Sequence, residues 1–244
     1  MGASFTNLTV CGPDQGDVVE CLNEFGYSAF VAPTVNGWTL IAEKESESFD
    51  FDIVRGVAER LSAKLACAAL SVQFYDDDVL LLQVYAAGTF VESYSSNPAY
   101  GAEDISEMFE VDRGGDAEQI ALAFNKPEAV QSLQQALHGD MEELDIEFTQ
   151  LSERMSEALQ SGDIDTVKAV QLRLMEKTRE LSEAGDDPFL RFAPGFDARR
   201  RYAKLVKSLN LPIFSQDFGY RYLENGEILE GLDPTQLRKI DQKA

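Results

Sequence analysis

The pattern of apolar and polar positions divides the first hundred residues into short strands and two helices. Runs rich in β-branched and aromatic residues predict strands at 5–10, 28–31, 38–42, 69–75, 79–85 and 89–94. Asp14 is placed to begin one helix, and Asp50 or Asp52 to begin a second, in which every fourth residue from Ile53 to Leu65 is apolar. The predicted order is therefore β-α-β-β-α-β-β-β.

Short connections join these strands. Asn36-Gly37 supplies the positive φ of a tight turn, and the segments 76–78 and 86–88 are short enough for direct chain reversals. Because such reversals pair neighbouring strands antiparallel, the predicted fold class is α+β, with a mostly antiparallel sheet and two helices across one face. A split β-α-β arrangement is compatible with the front part of this order.

The character of the chain changes after residue 96. Two long helical patterns, 141–159 and 164–181, meet at Ser161-Gly162-Asp163 and predict a helical hairpin over 141–184. Another helix is predicted at 197–209, and Asn225-Gly226 predicts a short β-hairpin near 220–229. The predicted organisation is an α+β sheet domain at 1–100, followed by a mainly helical region at 101–244.

The charge is distributed unevenly. The chain has a formal net charge of −22, with 6 Lys and Arg against 27 Asp and Glu in residues 1–150, but 15 against 16 in residues 151–244. Such a front half repels nucleic acid and anionic membranes, so neither is expected as a partner. A basic protein is its natural complement.

Composition narrows the chemistry further. There is no apolar run of membrane-spanning length and no signal-peptide pattern, and the three cysteines include no CxxC pair, so a reducing, cytoplasmic location is expected. His138 is the single histidine, which argues against an imidazole-based metal site and against a Ser or Cys triad. No catalytic residue and no cofactor are predicted.

The acidic triplet Asp76, Asp77 and Asp78 has two interpretations. Carboxylates are ligands for Mg²⁺ and Ca²⁺, so the triplet is a candidate metal site, with Glu43 or Glu45 as additional ligands. Adjacent residues of a tight turn point in different directions, however, and the segment lacks the spaced ligands and Gly of an EF-hand, so a solvated turn is the favoured interpretation.

A basic patch is the second candidate site. Its members lie in the helix predicted at 197–209: Arg199, Arg200, Arg201, Lys204 and Lys207. One interpretation is a solvated face paired with the acidic half of the chain, where each surface pair contributes little. The other is a binding site for an acidic segment of a partner or for a phosphate group.

Several segments resemble an uncharacterised group of bacterial α/β proteins with no assigned activity. The segments are FTNLTV at 5–10, AFVAPT at 29–34, DDDVL at 76–80, GGDAE at 114–118 and GYRYLE at 219–224. The resemblance covers most of the chain, whereas 141–184 looks like a variable insertion. It implies a bacterial, cytosolic origin and nothing about chemistry.

The sequence thus favours a non-catalytic, acidic binding or regulatory protein that recognises another, basic protein, as immunity proteins and inhibitors do. The alternative is a metal-assisted hydrolase or transferase that uses Asp76, Asp77 and Asp78. The partner and the oligomeric state are left open, as is the role of the helical hairpin, either an interaction arm or a cover of the sheet.

Overall fold

The computed structural model describes residues 3–76, 79–97, 114–139, 151, 154–155, 158–159, 161–183 and 196–241. The chain forms two compact units, one made of Met1–Leu137 together with Asp197–Ala244 and the other of His138–Phe196.

The first unit is built on a sheet with helices before, within and after it. Its strands are β1 (Phe5–Cys11), β2 (Ala29–Val31), β3 (Trp38–Glu43), β4 (Ala68–Tyr75), β5 (Val79–Ala86), β6 (Thr89–Ser95) and β7 (Arg238–Ile240). Its helices are α1 (Gln15–Phe25), α2 (Phe51–Leu65), α3 (Ala117–Ala123), α4 (Val130–His138), α6 (Phe196–Leu209) and α7 (Tyr220–Glu224). Short 3₁₀ turns occupy Glu45–Ser48, Pro127–Ala129, Ile213–Asp217 and Pro234–Gln236.

The seven strands lie in the order β6-β5-β4-β1-β3-β2-β7, and each neighbouring pair is antiparallel. The inner order β4-β1-β3-β2 interleaves two β-α-β units, because β3 lies between β1 and β2 while β1 lies between β3 and β4. The predicted α+β class and the order of strands and helices over the first hundred residues are confirmed.

Local signals explain where α1 and α2 begin and end. Asp14 accepts a hydrogen bond from the N–H of Asp17, whose side chain accepts one from the N–H of Asp14, so the two residues form a capping box. Asp50 caps α2 by accepting from the N–H groups of Asp52 and Ile53. Gly26 ends α1 at φ 72°, a left-handed conformation that glycine adopts without strain.

Alternation of side chains along the strands creates two separate cores, because successive residues of a strand point to opposite faces. On the α1/α2 face, aliphatic residues of the sheet such as Leu8, Val10 and Ile41 pack with residues of α1 and α2. The opposite face, called the aromatic face here, is richer in rings. Its buried aromatic residues include Phe5, Phe30, Trp38, Phe74, Phe124, Tyr202, Phe214, Phe218 and Tyr220.

The aromatic face corrects the predicted division of the chain near residue 100. Side chains of α3 and α4, at 117–137, and of the segment 198–232 share one buried cluster with the sheet. These segments therefore belong to the same compact unit as the strands, and the unit extends over 1–137 and 197–244.

The β-hairpin predicted near 220–229 is wrong. Residues Tyr220–Glu224 form helix α7, in which Tyr220 and Leu223 are buried while Arg221 and Glu224 are exposed. That spacing of three suits a helical turn on an apolar surface, and Gly226 adopts φ 81° just after the helix instead of in a hairpin turn. The strand that does form in this part of the chain is β7, at the sheet edge beside β2.

The second unit contains helix α5 (Ile164–Glu183), which agrees with the second arm of the predicted hairpin. Asp163 accepts hydrogen bonds from the N–H and the hydroxyl of Thr166 and so caps the helix. Most of the predicted first arm, 141–159, lies outside the described residues, so the hairpin over 141–184 stays a prediction.

Candidate functional site

A pocket of about 810 Å³ opens at the end of the sheet where α1 finishes and α2 begins. Its lining comes from four places in the sequence: Phe25, Gly26, Tyr27 and Ser28; Glu43, Lys44, Glu45 and Ser48; Ile53; and Asp241. The pairing of β7 with β2 places Asp241 in this group, since Ile240 lies opposite Ala29 in the register.

Glu43 forms a buried negative wall of the pocket. It is the last residue of β3 and its exposed fraction is only 1%. One carboxylate oxygen accepts from the N–H of Glu45 at 3.0 Å, and the other accepts from the N–H of Ser46 at 2.9 Å and from its hydroxyl at 2.8 Å. These three donors hold the carboxylate in place. Among the described residues Glu43 makes no ion pair.

An aromatic pair forms another part of the lining, and it already contacts a cation. The guanidinium carbon of Arg60 lies 4.4 Å from the ring centroid of Phe25 and 5.3 Å from that of Tyr27. Arg60 also donates a hydrogen bond of 2.8 Å to the Tyr27 hydroxyl. Burial raises the pKa of Tyr27 despite the opposing charge of Arg60, so this hydroxyl stays neutral at physiological pH.

The remaining charged groups of the pocket differ in their pairing. Asp241 forms an ion pair of 3.3 Å with Lys239, whose ammonium lies 5.6 Å from the ring centroid of Phe30. Glu45 is exposed and makes no ion pair within the described ranges. Of the lining residues that the structure describes, Lys44 is the one that is cationic.

Glu47 lies in the 3₁₀ turn Glu45–Ser48 and has a structural role. Its buried carboxylate accepts a hydrogen bond of 2.7 Å from the N–H of Tyr220, the first residue of α7. Burial raises the pKa of Glu47, and the hydrogen bond from Tyr220 opposes that shift. Gly219, just before α7, permits close packing at this point. A Cβ there would lie 2.7 Å from the Cβ of Phe5 and 3.1 Å from the Oε1 of Glu47.

The structure tests only part of the predicted acidic metal site. Asp76 is exposed at the end of β4, and its N–H donates a hydrogen bond of 2.8 Å to the hydroxyl of Ser4. Asp77 and Asp78 lie outside the described residues. Glu43 and Glu45, the expected helpers of a metal site, line the pocket instead, and within the described part of the chain no three His, Cys, Asp or Glu residues are grouped to hold a metal ion.

The predicted basic patch is divided by the fold. Arg199 lies 3.7 Å from a carboxylate oxygen of Asp217 and 5.8 Å from the ring centroid of Phe74. Arg201 donates a hydrogen bond of 2.6 Å to the carbonyl of Leu137 near the end of α4. These two arginines therefore hold segments of the fold together, and Arg200 is half-buried beside them.

The two lysines of the patch face an open groove of about 590 Å³ between α4 and α6. The groove is lined by Glu128, Ala129, Gln131, Ser132, Gln135, Lys204, Lys207 and Ser208. The five cations predicted as one site thus have different surroundings, and only Lys204 and Lys207 line this groove.

Within the described residues, no helix is both long and apolar enough to cross a membrane. No protein-family model, curated protein or solved structure matches the chain. The resemblance to a bacterial group therefore stays a prediction, and so does a cytoplasmic location.

Proposed function

We propose that the protein is a non-catalytic binding protein that recognises a basic partner protein through the outer surface of α1 and α2. The observation that carries this proposal is the charge of that surface. The two helices with their caps expose seven carboxylates, on Asp14, Asp17, Glu20, Glu24, Asp50, Asp52 and Glu59, and three cations, on Arg55, Arg60 and Lys64.

The three cations are engaged within the same surface. Arg55 pairs with Asp52 at 3.0 Å, Lys64 pairs with Glu24 at 2.6 Å, and Arg60 stacks on the aromatic pair described above. The remaining carboxylates keep their negative field directed at solvent. Such a field steers an oppositely charged protein and raises its association rate at low ionic strength.

Aromatic side chains near the start of α2 offer apolar contact area for the same partner. Phe51 is 45% exposed and Tyr75 is 40% exposed. The ring of Tyr75 packs edge-on against that of Phe49, with 5.3 Å between the ring centroids. Aromatic residues supply much of the binding energy at protein interfaces, whereas charges at the rim mainly set association rate and selectivity. An inhibitory or immunity-type role belongs to this class of function.

Affinity capture from the cells that produce the protein tests the proposal. The Glu20→Lys/Glu59→Lys variant reverses two exposed charges of the surface, and Glu227→Lys/Glu230→Lys makes the same change on an exposed segment after α7. We expect the wild type and the second variant to retain a basic protein that the first variant loses. The affinity of the purified partner should fall as salt concentration rises.

Two results would contradict the proposal. One is the absence of a salt-sensitive partner at both low and physiological ionic strength. The other is a partner that binds the Glu20→Lys/Glu59→Lys variant as tightly as the wild type.

A further inference from the structure

The pocket at the end of α1 has the size and lining of a site for a cationic side chain. Its volume of about 810 Å³ lies within the range of roughly 300–1,000 Å³ that is usual for ligand pockets. Tyr27 and Phe25 supply apolar ring surface, and Ile53 adds an aliphatic wall. The pocket can therefore cover the methylene stem of a long side chain.

The charge of the lining selects a cation. Among the described residues that line the pocket, three are acidic, Glu43, Glu45 and Asp241, and one is basic, Lys44. Asp241 has its ion pair with Lys239, but Glu43 and Glu45 make none within the described ranges. Glu43 is almost fully buried and has no opposite charge beside it within the described ranges. Its attraction for an incoming cation is therefore strong, because the surrounding medium screens that attraction poorly.

The contacts of Arg60 show that the aromatic wall is compatible with a guanidinium. Its guanidinium lies over Phe25 and Tyr27, both of which line the pocket. A guanidinium stacks on rings and presents several N–H donors to carboxylates, whereas an ammonium is a compact and strongly hydrated point charge. A second guanidinium is therefore the guest that suits rings and carboxylates together.

We infer that this pocket receives an arginine side chain of the basic partner, with the exposed Glu45 facing the guanidinium, the buried Glu43 adding its negative charge, and Ile53 and the aromatic pair covering the stem. The inference rests on the proposed function and adds to it a position and a chemical class of ligand. The α1/α2 surface then supplies long-range attraction, and the pocket supplies the specific contact.

Titration of the ¹⁵N-labelled full chain with N-acetyl-arginine N-methylamide tests the site by NMR. We expect saturable shifts of the amide signals of Gly26, Tyr27, Ser28 and Glu45, with a Kd of about 1 mM or weaker because one side chain supplies few contacts. The citrulline analogue has nearly the same shape without the charge. It should bind at least tenfold more weakly, and equal binding of the two compounds would overturn the inference.

Two variants and one control locate the binding. Glu45→Gln removes one exposed carboxylate and should weaken the arginine probe several-fold, whereas Ile53→Trp should fill part of the pocket and abolish the shifts. Glu128→Gln makes the same chemical change in the groove beside Lys204, and its titration should match the wild type. The inference is wrong if the shifts survive both pocket variants, or if they map to α4 and α6.

The same variants separate this inference from the proposed function. If Ile53→Trp still binds the partner fully while Glu20→Lys/Glu59→Lys does not, the proposed function stands and the pocket inference fails. If the arginine probe binds the pocket but no salt-sensitive partner is captured, the pocket stands as a guanidinium site and the proposed function fails.

Discussion

The two faces of the sheet are covered by layers that use charge in different ways. On the α1/α2 face the core is mainly aliphatic, and the helices direct a surplus of carboxylates to solvent. On the aromatic face, α6 carries five cations, of which Arg199 and Arg201 contact other segments of the fold. Charge on the first layer is thus exposed to solvent, whereas part of the charge on the second is used in internal contacts.

Replacing the central tryptophan of the aromatic face should have the largest effect. Trp38 is fully buried, and its ring centroid lies 5.0 Å from that of Phe124. Its Nε1 donates a hydrogen bond of 3.1 Å to the carbonyl of Leu209. We expect Trp38→Ala to lower the free energy of unfolding by about 3–5 kcal/mol, measured by urea denaturation. The fraction that stays folded should still bind the partner, because the substitution lies on the opposite face.

Trp38→Phe is the matched control. It retains a ring against Phe124 and loses one N–H donor, and the carbonyl of Leu209 keeps the ammonium of Lys126 as a partner. A loss of no more than about 1.5 kcal/mol is therefore expected. Equal losses for the two variants would show that the hydrogen bond, and not ring packing, dominates at this position.

The aromatic face is also where prediction from sequence was least complete. The strands and α1 and α2 follow from local periodicity, and the residues Asp14, Asp50 and Gly26 mark helix ends through local hydrogen bonds or backbone freedom. By contrast, α7 is only five residues long, and its helical form depends on burying Tyr220 and Leu223 against the sheet. A turn signal at Asn225-Gly226 fits either a hairpin or a helix end, and only tertiary contacts decide between them.

The candidate pocket could not be assembled from the sequence for a similar reason. Glu43 and Glu45 can be identified in the sequence as acidic residues. Their grouping with Tyr27 and Asp241, however, depends on the β2–β7 pairing, which joins residues about two hundred positions apart. Strand β7 has three residues, two of them exposed and cationic, so it lacks the apolar alternation that indicates a strand. A short, charged edge strand leaves almost no signal in the sequence.

A pair of arginine substitutions should sharpen the contrast between the two layers. Arg201→Met removes the donor to the carbonyl of Leu137, which keeps the hydroxyl of Tyr94 as a partner, so we expect a loss of about 1.5 kcal/mol. Arg55→Met breaks an exposed pair with Asp52 on α2 and should change stability by less than about 0.5 kcal/mol. Urea denaturation of both variants provides the comparison, and equal losses would contradict the assignment of structural cations to α6.

The buried carboxylate of Glu47 predicts a pH dependence. The ordinary pKa of a glutamate is 4.5, and burial raises the pKa of Glu47 in the folded protein, so the folded state holds this proton more tightly than the unfolded state. Glu47 therefore contributes stability that is fully present below pH 4.5 and is lost as the pH rises through the folded-state pKa. Relative to Glu47→Gln, the wild type should lose stability over that window and then remain constant.

Urea denaturation of the wild type and of Glu47→Gln over a pH series measures this difference. The glutamine keeps an oxygen that can accept from the N–H of Tyr220, so the variant removes the titration while preserving the contact. If the wild type instead gains stability relative to Glu47→Gln as the pH rises across the window, the hydrogen bonds to the carboxylate outweigh the cost of burying its charge.

The smallest change in stability is expected where the largest change in recognition is proposed. Glu20 and Glu59 are exposed on α1 and α2, and neutralising them as Glu20→Gln/Glu59→Gln should alter the free energy of unfolding by no more than about 0.5 kcal/mol. The sign should favour the variant, because a chain with a net charge of −22 relieves repulsion when it loses negative charge. Partner affinity at low salt should fall for the same substitution, and its dependence on salt should become shallower. Higher stability together with lower affinity would show that these carboxylates serve recognition. Unchanged affinity would show that they only solvate the fold.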